Sequence, residues 1–274
     1  MQELLLTDIY IYPIKSLGGI RLNQAAIEER GLKYDRRWML VDQNGLFVSQ
    51  RKHSKLAMLQ VDISDEQLTV TDKVDRETNI SFALFQDTGK LMDVAIWDSA
   101  ARGVEVSDEV SNWFSIYLDF EVKLVRLPEQ ERILVDTKYA NNGEITSFSD
   151  GYPCLIIGQS SMDMLNQKLS APILMNRFRP NFVFSGGEAH IEDCFSTFRL
   201  GNILFSAVKP CARCVMTTIN QETGIKGQEP LKTLASYRSV EKKIMFGQNL
   251  IHKGNGIIKT GSELIVEQWK QLPL

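Results

Sequence analysis

Apolar residues in this chain come mostly in short runs, each closed by a turn signal. Residues 4–12 are apolar and β-branched and stop at Pro13, which predicts a strand. Residues 37–42 and 46–49 flank Gln43-Asn44-Gly45, and Asn-Gly between two apolar runs predicts a hairpin. Residues 56–63 and 67–71 predict a second hairpin around Ser64-Asp65-Glu66, with an alternating strand after it over 78–85. Many short strands at this spacing point to a small barrel or sandwich.

The period changes at 107–118, where Val110, Trp113, Phe114, Tyr117 and Leu118 recur at helical spacing behind Ser107 or Asp108 as N-cap. That stripe reads as core packing. A strand at 122–126 and a polar stretch at 127–131 follow, and a domain boundary is placed there, giving domains 1–125 and 126–274. The second part mixes a helix over 160–169 with strands at 182–185, 203–209, 214–220 and 264–268. Pro230 takes the first position of another helix, ahead of Leu231, Leu234 and Tyr237. The expected fold class is mainly β with some α (α+β), as two packed barrel-like domains.

Composition narrows the class. The chain has 274 residues, 43% hydrophobic and 24% charged, which is ordinary for a soluble globular protein. A formal net charge of −3 argues against a general nucleic-acid-binding surface. Four cysteines in this length do not make a disulfide scaffold and fit a reducing compartment. The N-terminus has no basic n-region or apolar core of a signal peptide, and no stretch approaches the roughly 20 apolar residues of a membrane span. A cytoplasmic protein without membrane contact is expected.

The segment Val208-Lys209-Pro210-Cys211-Ala212-Arg213-Cys214-Val215-Met216-Thr217-Thr218 is the richest in chemistry. A thiolate beside a guanidinium can act as nucleophile or soft metal ligand. A c-type haem would need His where Val215 stands. Structural zinc would need two more ligands at short spacing, and the other Cys and His residues are scattered singly. A thioredoxin-like motif would open a helix, whereas Val-Met-Thr-Thr-Ile favours a strand. Two small buried thiols remain an open alternative.

Four other stretches pair special backbone residues with polar side chains: Tyr12-Pro13-Ile14-Lys15-Ser16, Asp35-Arg36-Arg37-Trp38, Ser149-Asp150-Gly151-Tyr152-Pro153 and Arg177-Phe178-Arg179-Pro180-Asn181. Each alone reads as a solvated loop. Together they offer cations and hydroxyls for an oxyanion, a carboxylate for amino-group donors, and an amide. A ligand with a phosphate, a donor-rich heterocycle and a soft metal would use all three. Neither a P-loop nor a dinucleotide fingerprint is present, and Gly186-Gly187 lacks the strand–turn–helix context.

In this order, and with Phe246-Gly247-Gln248-Asn249-Leu250 closing the series, these motifs resemble the MOSC family, named for the C-terminal domain of molybdenum cofactor sulfurase. The branch they most resemble is that of the amidoxime-reducing components and their bacterial relatives. The resemblance runs from about Tyr10 to Val266. It implies an N-terminal β-barrel and a C-terminal MOSC domain with molybdenum cofactor (molybdopterin with Mo) in the cleft between them. Cys214 is then the metal's protein ligand and the catalytic position. Lys15, Ser16, Arg36, Ser149, Asp150, Arg179, Asn181 and Gln248 are the matching cofactor-binding positions, while Cys211 has no assigned duty. His190 and Cys194, in His190-Ile191-Glu192-Asp193-Cys194-Phe195, read as local variation.

The implied activity is reduction of small N-hydroxylated compounds, N–OH to N–H. The competing reading is a non-redox carrier of molybdenum cofactor or of a persulfide. Since no cysteine follows Cys214, no fused plant-type ferredoxin domain is expected. Nor is any flavin, nicotinamide or iron–sulfur motif present. Electrons are therefore expected from a separate donor protein, a ferredoxin or flavodoxin with its reductase.

Overall fold

The structure is a computed structural model that describes residues 3–140 and 142–270. It is mainly β, with few helices. Its largest element is a nine-stranded sheet. The order is Ile20–Leu22, Leu5–Ile11, Phe182–Ser185, Cys154–Gly158, Lys243–Lys253, Ile203–Arg213, Phe195–Leu200 and Leu264–Trp269, with Ser239–Val240 beside Lys243–Lys253. All its pairings are antiparallel except Cys154–Gly158 with Phe182–Ser185. The helix Gln159–Lys168 makes the crossover that a parallel pair requires. One face of this sheet is dry: Leu6, Ile9, Phe182, Phe184, Phe195, Phe198, Phe205 and Leu250 form one cluster.

Smaller sheets complete the other barrel-like half. Trp38–Val41, Lys123–Arg126, Ser99–Glu105 and Leu91–Ile96 pair in that order, and Leu59–Ser64, Gln67–Asp72 and Asn79–Ala83 form a meander. Helix Asp108–Leu118 seals this half by burying Val110, Phe114 and Tyr117 against Ile14, Trp38, Leu40 and Leu124. Its cap is Ser107, whose hydroxyl accepts from the Val110 N–H at 3.2 Å.

The two halves are laced together in sequence. Strand Leu5–Ile11, from the first part of the chain, pairs with Phe182–Ser185, and Gln24–Glu28 pairs with Gly256–Lys259. Long-range pairing, invisible to local pattern, thus crosses the boundary placed at 125/126.

Local chemistry also overrode propensity after the thiol pair. The strand expected over 214–220 is instead a 3₁₀ turn, Val215–Thr218. The Thr217 and Thr218 hydroxyls donate back to the Cys214 and Val215 carbonyls at 3.0 and 2.8 Å, which closes the turn. Residues 46–49 form only isolated bridges, Val41 with Phe47 and Leu46 with Ala95. The Asp42 carboxylate accepts from the Asn44 and Leu46 N–H groups and fixes that turn without a second strand.

Glu192 is fully buried at the first turn of helix Gln159–Lys168. It accepts from the Gly158 N–H at 3.2 Å and the Ser161 hydroxyl at 2.8 Å. Burial pushes its carboxyl up to about 6, against the pull of those bonds. A raised acid favours the native state below its unfolded value, and that contribution is lost as pH rises from about 4.5 through 6. The magnitude is about 2 kcal/mol at ~1.4 kcal/mol per unit. The stability difference between wild type and Glu192→Gln should therefore shift toward the variant by that amount between pH 4.5 and pH 7. Urea denaturation at both pH values checks this, and parallel curves would contradict a carboxyl buried in its neutral form.

Candidate functional site

Where the two halves meet, the motif loops converge on Tyr12. Its N–H donates to Asp35 Oδ1 at 2.7 Å, and its hydroxyl donates to the Pro180 carbonyl at 3.1 Å. Its ring carries the guanidinium groups of Arg36 at 4.3 Å and Arg179 at 4.1 Å. Backbone bonds tie in the remaining loops: Arg36 N–H to the Tyr12 carbonyl, Phe148 N–H to the Arg36 carbonyl, and Tyr10 N–H to the Asn181 carbonyl. Stretches far apart in sequence thereby become one wall.

The wall encloses a cleft of about 750 Å³ including its mouth. Seven of the anticipated residues line it: Lys15, Ser16, Arg36, Ser149, Asp150, Arg179 and Asn181. Ser16, Arg36 and Arg179 hold left-handed φ values of 75°, 49° and 53°. That conformation costs a non-glycine residue on the order of 1 kcal/mol, and such strain gathers at functional sites.

Two anticipated residues fall elsewhere. Gln248 is fully buried off the cleft, donating to Asp193 at 2.7 Å and accepting from Lys270 at 3.2 Å. Its neighbour Asn249 lines the cleft instead, as strand alternation requires. Cys214 is half-buried at the start of the 215–218 turn and is not part of the cleft wall, whereas Cys211 is. Cys211 and Arg213 lie two apart on strand Ile203–Arg213, so both face the cleft.

The strand register shows how Pro210 is accommodated just before them. Register slips on both sides of it, with Val208 extra on one strand and Phe246 and Gly247 opposite Cys211 on the other. Gly247 has φ 81°, and a Cβ there would lie 2.8 Å from the Ile156 carbonyl oxygen. Only glycine fits that bend.

The electrostatics favour an anion. Lys15, Arg36, Arg51, Arg179 and Arg213 line the cleft against one lining carboxylate, Asp150, with Asp35 behind Arg36. Lys15 donates to Asp150 at 2.6 Å. Burial pulls the Lys15 ammonium down, with Asp150 opposing. Desolvation in the cleft would raise Asp150, although its side chain is 54% exposed, but Lys15, the Trp97 indole N–H and Arg51 outweigh it and hold the carboxyl below the usual range. Burial pushes Arg179 down to about 10, still cationic at neutral pH. Arg36 is opposed by burial yet raised, chiefly by Asp35 at 2.6 Å. The Cys211 thiol is pushed up by burial, against the pull of Arg213.

Some polar capacity is spent on building the wall. Asn181 bonds the Leu155 N–H and the Tyr10 carbonyl, and Ser149 bonds Thr146 and the Tyr152 carbonyl. Other capacity is free. Arg213 donates to the Phe246 and Phe178 carbonyls through Nε and Nη1, while its buried Nη2 has no partner. Both bonds to Asp150 use Oδ1. A buried, unmet guanidinium N–H in a cationic cleft is what an anionic group would satisfy.

Pattern reading missed several participants. Arg51 and Trp97 stand at the mouth, the Arg51 guanidinium 4.1 Å from the Trp97 ring centroid. Trp97 sits at the turn of the Leu91–Ile96 and Ser99–Glu105 hairpin, whose strands carry no clean alternation. Asn249 and Asp35 were legible in hindsight, one from strand alternation and the other from its place beside Arg36.

Fold and site together define a mainly β protein whose two halves share a cationic cleft with the Cys211 thiol in its wall. The MOSC N-terminal beta barrel domain profile matches residues 3–121, and the MOSC domain profile matches 144–265. The chain belongs to the MOSC family.

Among its relatives is mitochondrial amidoxime-reducing component 1 of Mus musculus, 27% identical over 93% of this chain and 79% of that one. Mitochondrial amidoxime reducing component 2 of Rattus norvegicus is 29% identical over 87% and 73%. Molybdenum cofactor sulfurase of Bombyx mori is 28% identical over 92% of this chain but 32% of its own length. The protein is thus related to molybdenum-cofactor proteins. Among the described residues no helix is long and apolar enough to cross a membrane.

Proposed function

We propose that the cleft holds molybdenum cofactor and that the protein uses it to reduce N-hydroxylated compounds. The observation that carries this reading is the unmet Nη2 of Arg213 in a cleft where cations outnumber carboxylates. The residues present fit such a ligand. Lys15, Arg36, Arg179 and Arg213 suit its phosphate by charge-assisted bonds, and the Asp150 carboxylate suits amino-group donors of its pterin. Cys214, at the start of the turn beside the cleft, would supply a thiolate to the metal. When bound, the cofactor supplies two-electron oxygen-atom chemistry that no side chain here provides. The overall change consumes two electrons and two protons per N–OH and yields N–H and water. The names of the amidoxime-reducing relatives support the same substrate class.

The similarity to molybdenum cofactor sulfurase supports a second reading, a carrier of cofactor or persulfide that does not turn over. Protein made in a cofactor-competent host separates the two. Under the first reading it carries pterin fluorescence and molybdenum, and it reduces a model amidoxime with reduced viologen dye. Bound cofactor without turnover would favour the carrier, and protein that takes up neither cofactor nor persulfide sulfur would overturn both.

A further inference from the structure

The turn that follows Cys214 opens onto a surface of exposed aliphatic and basic side chains. Val215 is 57% exposed and Ile225 68%. A groove beside them is floored by Val215, Ile219 and Leu231 and edged by Arg51, Lys226 and Lys232. It continues past Thr218 and Gln228 to Arg177. Arg51 lines both this groove and the cleft.

Among the described residues, Arg51, Arg177, Lys226 and Lys232 form no ion pair. Glu229 is the one acid lining the groove, and its Oε2 accepts from the Thr233 N–H at 3.0 Å. Glu222, nearby, faces Lys73 at 3.8 Å. Four unpaired cations around exposed aliphatic residues, on a chain of net charge −3, are a local concentration of charge rather than a reflection of composition.

We propose that this face docks a small acidic electron-transfer protein, which delivers electrons to the cleft beside it. The inference rests on the reductase reading above, because only a reductase needs the donor. Charge complementarity steers such an encounter, and the aliphatic floor gives it an anchor. Position favours it too, since Val215 directly follows Cys214. Redox encounters use small, short-lived interfaces, which suits a groove of this extent. No aromatic side chain lines the groove, so it lacks the stacking platform of a single-stranded nucleic-acid site. The donor loses two electrons for each N–OH reduced, in two encounters for a one-electron [2Fe–2S] carrier, with the two protons drawn from solvent.

The test uses the full chain with its cofactor, and an acidic plant-type ferredoxin and a flavodoxin as probes. Two variants are compared with wild type: Lys232→Glu, and Lys226→Glu with Lys232→Glu. Lys232→Glu is the cleaner, because Lys226 also donates to the Arg51 carbonyl at 2.9 Å. Binding is measured by calorimetry at low and physiological salt. Amidoxime reduction is measured once with the donor protein and once with viologen dye.

Wild type should bind at least one probe at low salt and lose much of that affinity at physiological salt. The double variant should weaken binding, and raise KM for the donor, by about tenfold or more, with an unchanged viologen-driven rate. Failure of both probes to bind wild type at low salt, or equal binding by wild type and double variant, overturns the proposal. So does a charge reversal that abolishes binding of single-stranded RNA or anionic vesicles while sparing the donor proteins. Absence of viologen turnover in cofactor-loaded protein sinks the reductase reading instead, and the calorimetry still decides the surface.

Discussion

Cys214→Ser should lower viologen-driven amidoxime reduction on the order of a thousandfold, and Cys211→Ser by no more than about tenfold. Loss of groups that merely support a metal ligand typically costs 10–100-fold, so loss of the ligand itself should exceed that. The contrast is a strict test, because Cys211 lines the cleft and Cys214 opens the adjoining turn. Their surroundings differ. Burial pushes the Cys211 thiol up, which disfavours its thiolate. Cys214, half-buried like Cys211, starts a 3₁₀ turn closed by Thr217 and Thr218 and lies outside any strand pairing. Molybdenum content by mass spectrometry should follow activity in both variants. Equal and complete loss in the two would mean a dithiol site, and loss confined to Cys211→Ser would exchange the assignments.

Much of this architecture was legible because it rests on local rules. Helix Asp108–Leu118 follows from its apolar spacing and from Ser107. The hairpin of Leu59–Ser64 with Gln67–Asp72 follows from Asp65 and Glu66, which hold φ of 47° and 62° at the turn. What stayed hidden depends on contacts distant in sequence or on side chains that rewrite the backbone. The pairing of Leu5–Ile11 with Phe182–Ser185 has no local signature. The threonines after Cys214 carry β-branched propensity, yet their hydroxyls closed a turn.

The site divides along the same line. Motif order brought Lys15, Arg36, Asp150 and Arg179 to one cleft, because each stretch combines a tight turn with a polar side chain. Motif order could not say which face of strand Lys243–Lys253 each residue would take. Gln248 therefore went to Asp193 and Lys270, and Asn249 to the cleft. Nor could it distinguish side chains that build the wall from those left free to bind. Asn181 and Ser149 are spent on loops, while Arg213 keeps an unmet N–H.

That distinction sets the expected outcome for the cationic residues. Lys15→Ala and Arg213→Ala should each weaken cofactor retention by about 1.5–3 kcal/mol, the worth of a charge-assisted hydrogen bond. That is roughly tenfold or more in affinity per substitution. Lys15→Ala should cost little stability, because Asp150 keeps its bond from Trp97 and its side chain is 54% exposed. Arg36→Ala should behave differently. It strips Asp35, buried at 3% exposure, of a guanidinium 2.6 Å away and removes one of the two cations on Tyr12. Breaking a buried pair from one side costs about 3–5 kcal/mol, so this variant should unfold at clearly lower urea even without cofactor. Arg213→Lys keeps the charge but not the planar fork, and should retain less cofactor than wild type and more than Arg213→Ala. Pterin fluorescence per mole of protein, read beside urea midpoints, separates retention from stability. Unchanged pterin content in the Lys15→Ala, Arg213→Ala double variant, with its midpoint near wild type, would show that the cleft's positive charge serves some other ligand.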